Sequence, residues 1–343
     1  MIGRSRPQSV RLAAVLTVLL TGYSTVNAAA AAQKPASTPA SSPVAAQVPS
    51  AAAVVEVAPG VYFAQGAVGE PDPANRGRIG NAGFIVGPDG VIVVDTGTSY
   101  QQGAALLDAI RRVTTLPVRL AIITHARQEF LFGAAAFQQQ GIPVAMQRSA
   151  ADLMRSRCEQ CLDNLQQLLG DREMQGSKVI KPDIEFEHSY TLGVAGRTVD
   201  VLYFGHSSGP GAVAVLDDMS GVMFAGGLAD QHRVPDVQDA DLDGWLQALR
   251  QLQVLPIATV MPGHGQAASP AVLSEVSQYL SQLRTRVLKL LDTGAALSDV
   301  PDAAMLPAYA GWDQYQTIHR RNASVLFLRY ERERLFDEPL GKH

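Results

Sequence analysis

The sequence predicts a layered α/β sandwich built from two strand-rich halves with helices outside, and three observations carry that expectation. Short runs of Val, Ile and Phe alternate with Gly-containing turns early in the chain, a looser strand-and-helix pattern follows, and helical periodicity takes over toward the C-terminus. Residues 54–57, 61–64, 82–86 and 91–94 read as strands, and Pro59-Gly60 and Pro88-Asp89-Gly90 mark hairpin turns between them. Residues 104–113 place apolar side chains at helical spacing, and 118–124 form a buried strand. A strand at 142–146 and a helix at 150–169 come next, then strands at 184–186, 198–204, 212–216 and 222–224. Helices at 242–252, 271–291 and 313–334 close the chain.

Composition limits the function classes. Of 343 residues, 47% are hydrophobic and 17% charged, enough apolar material to bury a full core. The formal net charge of -4 leaves no basic footprint for a nucleic-acid backbone. Two cysteines provide no disulfide framework.

The N-terminal segment is expected to be an address. Arg4, Arg6 and Arg11 precede or open onto an uncharged apolar run at 12–20, and Val26-Asn27-Ala28 offers small residues for cleavage, so residues 1–28 read as a secretory signal peptide. Its apolar core is half of what a spanning helix needs, and Tyr23 stands where a lipid-bearing cysteine would have to be. A bacterial signal of this kind predicts a periplasmic or secreted protein with no membrane span after processing. Removing three arginines takes the formal charge to about -7. Residues 29–53, rich in Ala, Pro and Ser, cannot bury enough surface to offset chain entropy and read as a tether; residues 54–343 form the folded domain with its C-terminal helices.

Three histidines stand at the ends of expected strands, where a sheet delivers side chains to one edge: His125 after 120–124, His206 after 202–205 and His264 after 260–263. Imidazole is the commonest metal ligand, and three in one structural context raise the expectation of a shared centre.

Those histidines fall within a set of motifs. Val93-Val94-Asp95-Thr96-Gly97, Thr124-His125, Gly205-His206-Ser207, Phe224-Ala225-Gly226 and Pro262-Gly263-His264-Gly265 resemble, in order and spacing, the metallo-β-lactamase superfamily. The resemblance implies a four-layer αβ/βα sandwich with the site at one edge between the sheets, and makes Asp95 the carboxylate that orients the His125 loop. More narrowly, Arg157-Cys158-Glu159-Gln160-Cys161-Leu162, Gly244-Trp245-Leu246 and His319-Arg320-Arg321-Asn322 resemble the quinoprotein relay system metallohydrolases, exported proteins associated with pyrroloquinoline-quinone-dependent dehydrogenases.

The departures from that family carry as much information. Working members read His-x-His-x-Asp-His, where this chain reads His125-Ala126-Arg127-Gln128-Glu129-Phe130, and Gly227 stands in place of a bridging Asp. Arg127 has no lone pair to offer and does not deprotonate, so it cannot ligate. The second metal position keeps His264 and Glu129 but loses its histidine to Phe130. Second-shell changes alone cost about ten- to a hundred-fold in metal affinity, and these losses are first-shell. Arg127 is expected to pair with Glu129 or Asp95 and to replace the metal as the organising charge.

Two function classes follow. The first is an eroded, weakly active or non-catalytic homologue that binds a small-molecule ligand or a periplasmic partner protein, with Asp95, Arg127 and Glu129 as pocket candidates. The second is a hydrolase using metal-activated water on one zinc ion held by His125, His206 and His264, with or without Glu129. Asp230 and His232 are substitute donors on that alternative, and loop surface otherwise. Cys158 and Cys161 lie three apart in an expected helix; an oxidising compartment makes a local disulfide the first expectation, helical geometry strains so short a bridge, and structural or subfamily-specific packing is preferred over a redox role. His188 is expected to be solvated, and His319 with its neighbours to form polar surface or a subfamily contact.

Overall fold

The computed structural model describes residues 53–337. The leader assigned to 1–28 and the tether assigned to 29–53 lie, but for Ala53, outside the described residues. A first sheet runs in spatial order β1 (Val55–Ala58), β2 (Val61–Ala64), β3 (Ala82–Gly87), β4 (Gly90–Val94), β5 (Val118–Ile123), β6 (Val144–Gln147) and β7 (Ile184–Phe186). Its first four strands pair antiparallel and the remainder parallel. The second sheet is a meander of β8 (Tyr190–Leu192), β9 (Val199–Tyr203), β10 (Val213–Asp217) and β11 (Val222–Gly226), with β12 (Thr259–Pro262) added parallel to β11.

Helices cover the outer faces. On the first sheet lie α1 (Tyr100–Val113), α2 (Gln128–Leu131), α3 (Ala134–Gln139), α4 (Arg148–Leu169) and α5 (Asp171–Met174), with Leu106, Leu107, Ile110, Phe137 and Met154 in that core. On the second lie α6 (Leu242–Leu252), α7 (Ala271–Asp292), α8 (Val300–Ala303) and α9 (Arg320–Asp337), around Trp245, Tyr279 and Leu280. Val61, Phe63, Ile85, Ile92 and Val94 meet Val201, Val213, Val215 and Phe224 between the sheets. The four layers of the expected αβ/βα sandwich are therefore present. Strands β4, β10 and β11 are buried on both faces, which is why they read as continuous apolar runs without alternation. Each fully buried Leu, Ile or Phe in these layers contributes roughly 1.5–3 kcal/mol relative to exposure.

The expected elements appear, with shifted ends. Helix α1 begins four residues earlier than its apolar spacing indicates, because Ser99 caps it by accepting from the Gln102 backbone N–H. The final helix starts at Arg320, not at 313: Gln314 is left-handed (φ +61°) and a π-type turn spans Tyr315–His319. The short elements α2, α3, α5, α8 and β8 carry too few residues for a periodicity to show. No described helix is long and apolar enough to cross a membrane.

Candidate functional site

Strands β5, β11 and β12 end at the same sandwich edge, and the loops that follow them build the site. The first loop is bolted to the turn after β4. Both Asp95 oxygens accept from Thr124, one from its backbone N–H and one from its hydroxyl, each at 2.8 Å. Thr96 donates its N–H and its hydroxyl to the Phe130 carbonyl, each at 2.9 Å. Asp95 adopts φ +59°, an uncommon conformation for a residue with a Cβ, and these bonds hold it there. Burial pushes its carboxyl up to about 7 against the opposing Thr124 hydrogen bonds. Asp95 thus ties the turn after β4 to the residue that precedes His125.

His125 is buried, and its ring lies against backbone. A Cβ on Gly227 would sit 2.2 Å from its Cδ2, and one on Gly209 would sit 2.8 Å from its Nε2. The ring therefore occupies the space in which a side chain at 227 would begin. Phe130 neighbours both buried imidazoles, with ring centroids 6.5 Å from His125 and 5.6 Å from His264. Burial, then the charge of Arg127, drives the His125 pKa down to about 4. Neither of its ring nitrogens has a hydrogen-bond partner among the described residues.

His264 is held between carboxylates. Its Nδ1 lies 2.7 Å from Asp230 Oδ1, and its Nε2 lies 3.4 Å from Glu129 Oε1, outside hydrogen-bond geometry. Burial works against the charged imidazole, but Asp230 and Glu129 outweigh it and raise the His264 pKa. Burial likewise disfavours the Glu129 carboxylate, yet the adjoining His264 and the charge of Arg127 bring its pKa down to about 2. Asp230 is thus a buried orienting group and not loop surface; His232, exposed and left-handed, is surface.

The structure departs from two further expectations. His206 does not join the other histidines: it is exposed, and its Nε2 lies 2.6 Å from the Asp239 carbonyl. Arg127 pairs with neither Glu129 nor Asp95. Its Nη2 donates to the Asp236 carbonyl at 2.9 Å and its Nη1 lies 3.8 Å from the Asp236 carboxylate. Glu129 still acts on it through charge, behind Asp236.

Arg127 and Glu129 face a cleft of about 280 Å³ whose other walls include Arg157, Cys158, Cys161, Arg233, Asp236 and Asp239. The wall carrying Asp236 and Asp239 is fastened to α9: Asn322 donates to the Pro235 carbonyl at 2.7 Å and accepts from the Val237 N–H at 3.1 Å, Arg321 pairs with Asp236 at 2.6 Å, and Arg329 donates to the Ala240 carbonyl at 2.6 Å. His319 is fully buried, 3.0 Å from the Tyr279 hydroxyl and stacked on Tyr315, so it is core and not polar surface. Sequence reasoning missed this wall, since no motif marks Asp236 or Asp239 and their partners are remote in the chain, Arg127 and Arg321 for Asp236 and Arg157 for Asp239. Cys158 and Cys161 are free thiols, against the expected local disulfide. His188 is exposed as expected.

The family's metal does not fit this donor set. Among the described residues no group of three or more His, Cys, Asp or Glu side chains is gathered to hold a metal ion. Phe130 takes a ligand position beside the two buried imidazoles, His206 is exposed, and the bridging position has no side chain. What the arrangement offers instead is a polar cleft of fixed guanidinium and carboxylate groups, with unsatisfied nitrogens on His125 and His264 buried beside it.

Two packed sheets flanked by helices, with the strand-end loops forming a site at one edge, define a hydrolase-type sandwich whose loops are open to change. The chain belongs to the metallo-beta-lactamase superfamily, whose family model matches residues 75–264. It is 22% identical over 271 residues to a linear primary-alkylsulfatase from Pseudomonas sp., covering 68% of this chain and 51% of that protein, so it spans about half the length of that curated relative. Among solved structures it resembles a metallo-beta-lactamase from Pontibacter korlensis (22% identity, TM-score 0.56, covering 67% of this chain and 99% of that one). It also resembles a double mutant of the sec-alkyl sulfatase PisA1 (16% identity, TM-score 0.65, covering 81% and 50%). Identities this low speak for the fold alone.

Proposed function

We propose that the protein is an exported metallo-β-lactamase-fold hydrolase homologue with an eroded dinuclear site, weakly active or non-catalytic, that binds a small molecule in the Arg127 cleft or engages a periplasmic partner. The observation that carries this is the Phe130 ring, which takes the place of a ligand and packs near both His125 and His264, while the His125 ring fills the space beside Gly227. The cleft provides the binding chemistry: guanidinium donors on Arg127, Arg157, Arg233 and Arg321 face carboxylates on Glu129, Asp236 and Asp239, which suits a polar ligand with both donors and acceptors. Export rests on the leader at 1–28, and an association with pyrroloquinoline-quinone enzymes rests on the motifs at 157–162, 244–246 and 319–322.

One observation favours a second reading, a single zinc ion held by His125, His264 and an inward-turned His206, with or without Glu129: both ring nitrogens of His125 are buried without hydrogen-bond partners among the described residues, and such atoms cost about 1–3 kcal/mol each. Metal content of the mature protein, purified without added zinc and measured by mass spectrometry, separates the two. The expected result is far less than one zinc per chain, with no tight binding on titration. Near-stoichiometric zinc that disappears in His264→Ala would establish the mononuclear hydrolase. Turnover of alkyl sulfate esters and β-lactams, the substrate types named by the relatives, is expected at trace levels at most.

A further inference from the structure

Cys158 and Cys161 sit one helical turn apart on α4, and both line the cleft that carries Arg127 and Glu129. Their environments differ: Cys158 is buried and Cys161 is half-exposed. Residues three apart on a helix hold their Cβ atoms about 5–6 Å apart, while a disulfide needs roughly 3.5–4.5 Å. Closing the bridge therefore takes a tightening of that one turn by about 1–2 Å, which a single strained turn can supply. The division between an accessible sulfur and a buried one is that of an attacking and a resolving thiol.

We propose that Cys158 and Cys161 form a reversible thiol–disulfide exchange site, with Cys161 attacking a small external disulfide and Cys158 resolving the adduct. In the first step the Cys161 thiolate bonds to one sulfur of the external disulfide, whose S–S bond breaks and releases one thiolate. In the second, Cys158 gives up its proton to solvent and attacks Cys161 Sγ, releasing the second thiolate. The protein loses two electrons and two protons, and the external disulfide is reduced to two thiols. The local chemistry is consistent with those roles. The Cys158 thiol, by hydrogen bonding, draws Cys161 down to about 7, while that coupling and burial push Cys158 up. As a thiol, Cys161 donates to the Arg157 carbonyl at 3.5 Å, so the same turn holds both sulfurs and Arg157.

Oxidation also reaches the cleft wall. Arg157 adjoins Cys158 and its guanidinium pairs with Asp239, whose carbonyl contacts His206 Nε2 at 2.6 Å. Tightening the 158–161 turn moves the base of that chain.

The test uses the mature protein equilibrated in mixtures of reduced and oxidised glutathione, quenched by alkylation and mapped by mass spectrometry. Expected are a two-hydrogen loss within the 158–161 peptide that reverses with reduced glutathione, and faster backbone amide exchange at 236–240 in the oxidised form. In Cys158→Ser a glutathione adduct should accumulate on Cys161, and in Cys161→Ser adduct formation should slow by about tenfold or more. The proposal is overturned if both thiols of the folded wild type stay alkylatable under conditions that oxidise the unfolded chain, or if the wild-type adduct maps to Cys158. Unchanged exchange at 236–240 on oxidation would remove the coupling to the wall and leave an isolated dithiol. Peptide mapping of the wild type decides the point even if a serine variant fails to fold.

Discussion

His264 and His206 stand at comparable places, each just past the end of a strand of the second sheet, and their fates differ completely. His264 is buried with carboxylates at both ring nitrogens, while His206 is exposed and holds one backbone carbonyl. The difference does not lie in the histidines. Asp230 and Glu129 stand beside His264 and compensate its burial, whereas His206 has a backbone carbonyl, that of Asp239, as its partner. A side chain keeps its post when the groups that neutralise and orient it are kept.

The sharpest way to break this contrast is Asp230→Ala, which leaves an imidazole buried without its Nδ1 partner beside Glu129. We expect a loss of about 3–5 kcal/mol in urea denaturation, the cost of stranding one member of a buried pair. Phe130→Ala should lose a comparable 3–5 kcal/mol or slightly less by opening a cavity beside the two imidazoles, and xenon or small-ligand uptake would report it. A Phe130→Ala variant as stable as wild type would show that the ring does not hold the pocket closed.

Next in size is a pH effect whose sign differs by residue. Glu129 is lowered from 4.5 to about 2, so its contribution is full above 4.5 and disappears as pH falls toward 2. His125, lowered from 6.5 to about 4, contributes above 6.5 and loses that contribution as pH falls toward 4. Asp95 runs the other way: raised from 3.8 to about 7, it contributes fully below 3.8 and loses that as pH rises through 7. Between about pH 4 and 6.5 the Asp95 and His125 slopes oppose each other, giving a flat wild-type profile. Asp95→Asn should remove one of them, so that stability rises by roughly 2 kcal/mol more than in wild type between about pH 5 and 7. Parallel profiles for the two proteins would contradict the buried neutral carboxyl.

Gly227→Asp comes lower on the scale for metal binding. Restoring the bridging side chain alone should leave zinc affinity unchanged, since its Cβ meets the His125 ring at 2.2 Å and must first displace it. Tight zinc binding by that single variant would show that the pocket relaxes readily. His206→Ala is expected to change stability least, by under about 1 kcal/mol, as for an exposed side chain with one hydrogen bond.

Much of the fold was legible in the sequence because central strands such as β4, β10 and β11 are buried on both faces and helices such as α1 and α6 keep an apolar stripe. The strand-end placement of His125 and His264, and the loss of ligands at Arg127, Phe130 and Gly227, were legible for the same reason: each is a local fact at a motif. What was not legible depended on long-range packing. The pairing of Arg127 with Asp236, the burial of Asp230 and His319, and the outward turn of His206 are settled by residues 30 to 110 positions away. No local pattern separates those outcomes from the ones expected for Arg127 beside Glu129 or His319 on a polar face. The free thiols reflect the same limit, since helical spacing permits a bridge without requiring one.

The fastening of the 235–240 wall to α9 has a consequence for kinship. The region by which the family is recognised ends at residue 264, yet Arg321, Asn322 and Arg329, which shape one whole side of the cleft, come after it. One side of the cleft is therefore set by residues that the family model does not reach, and a relative that shares the 75–264 region need not share it.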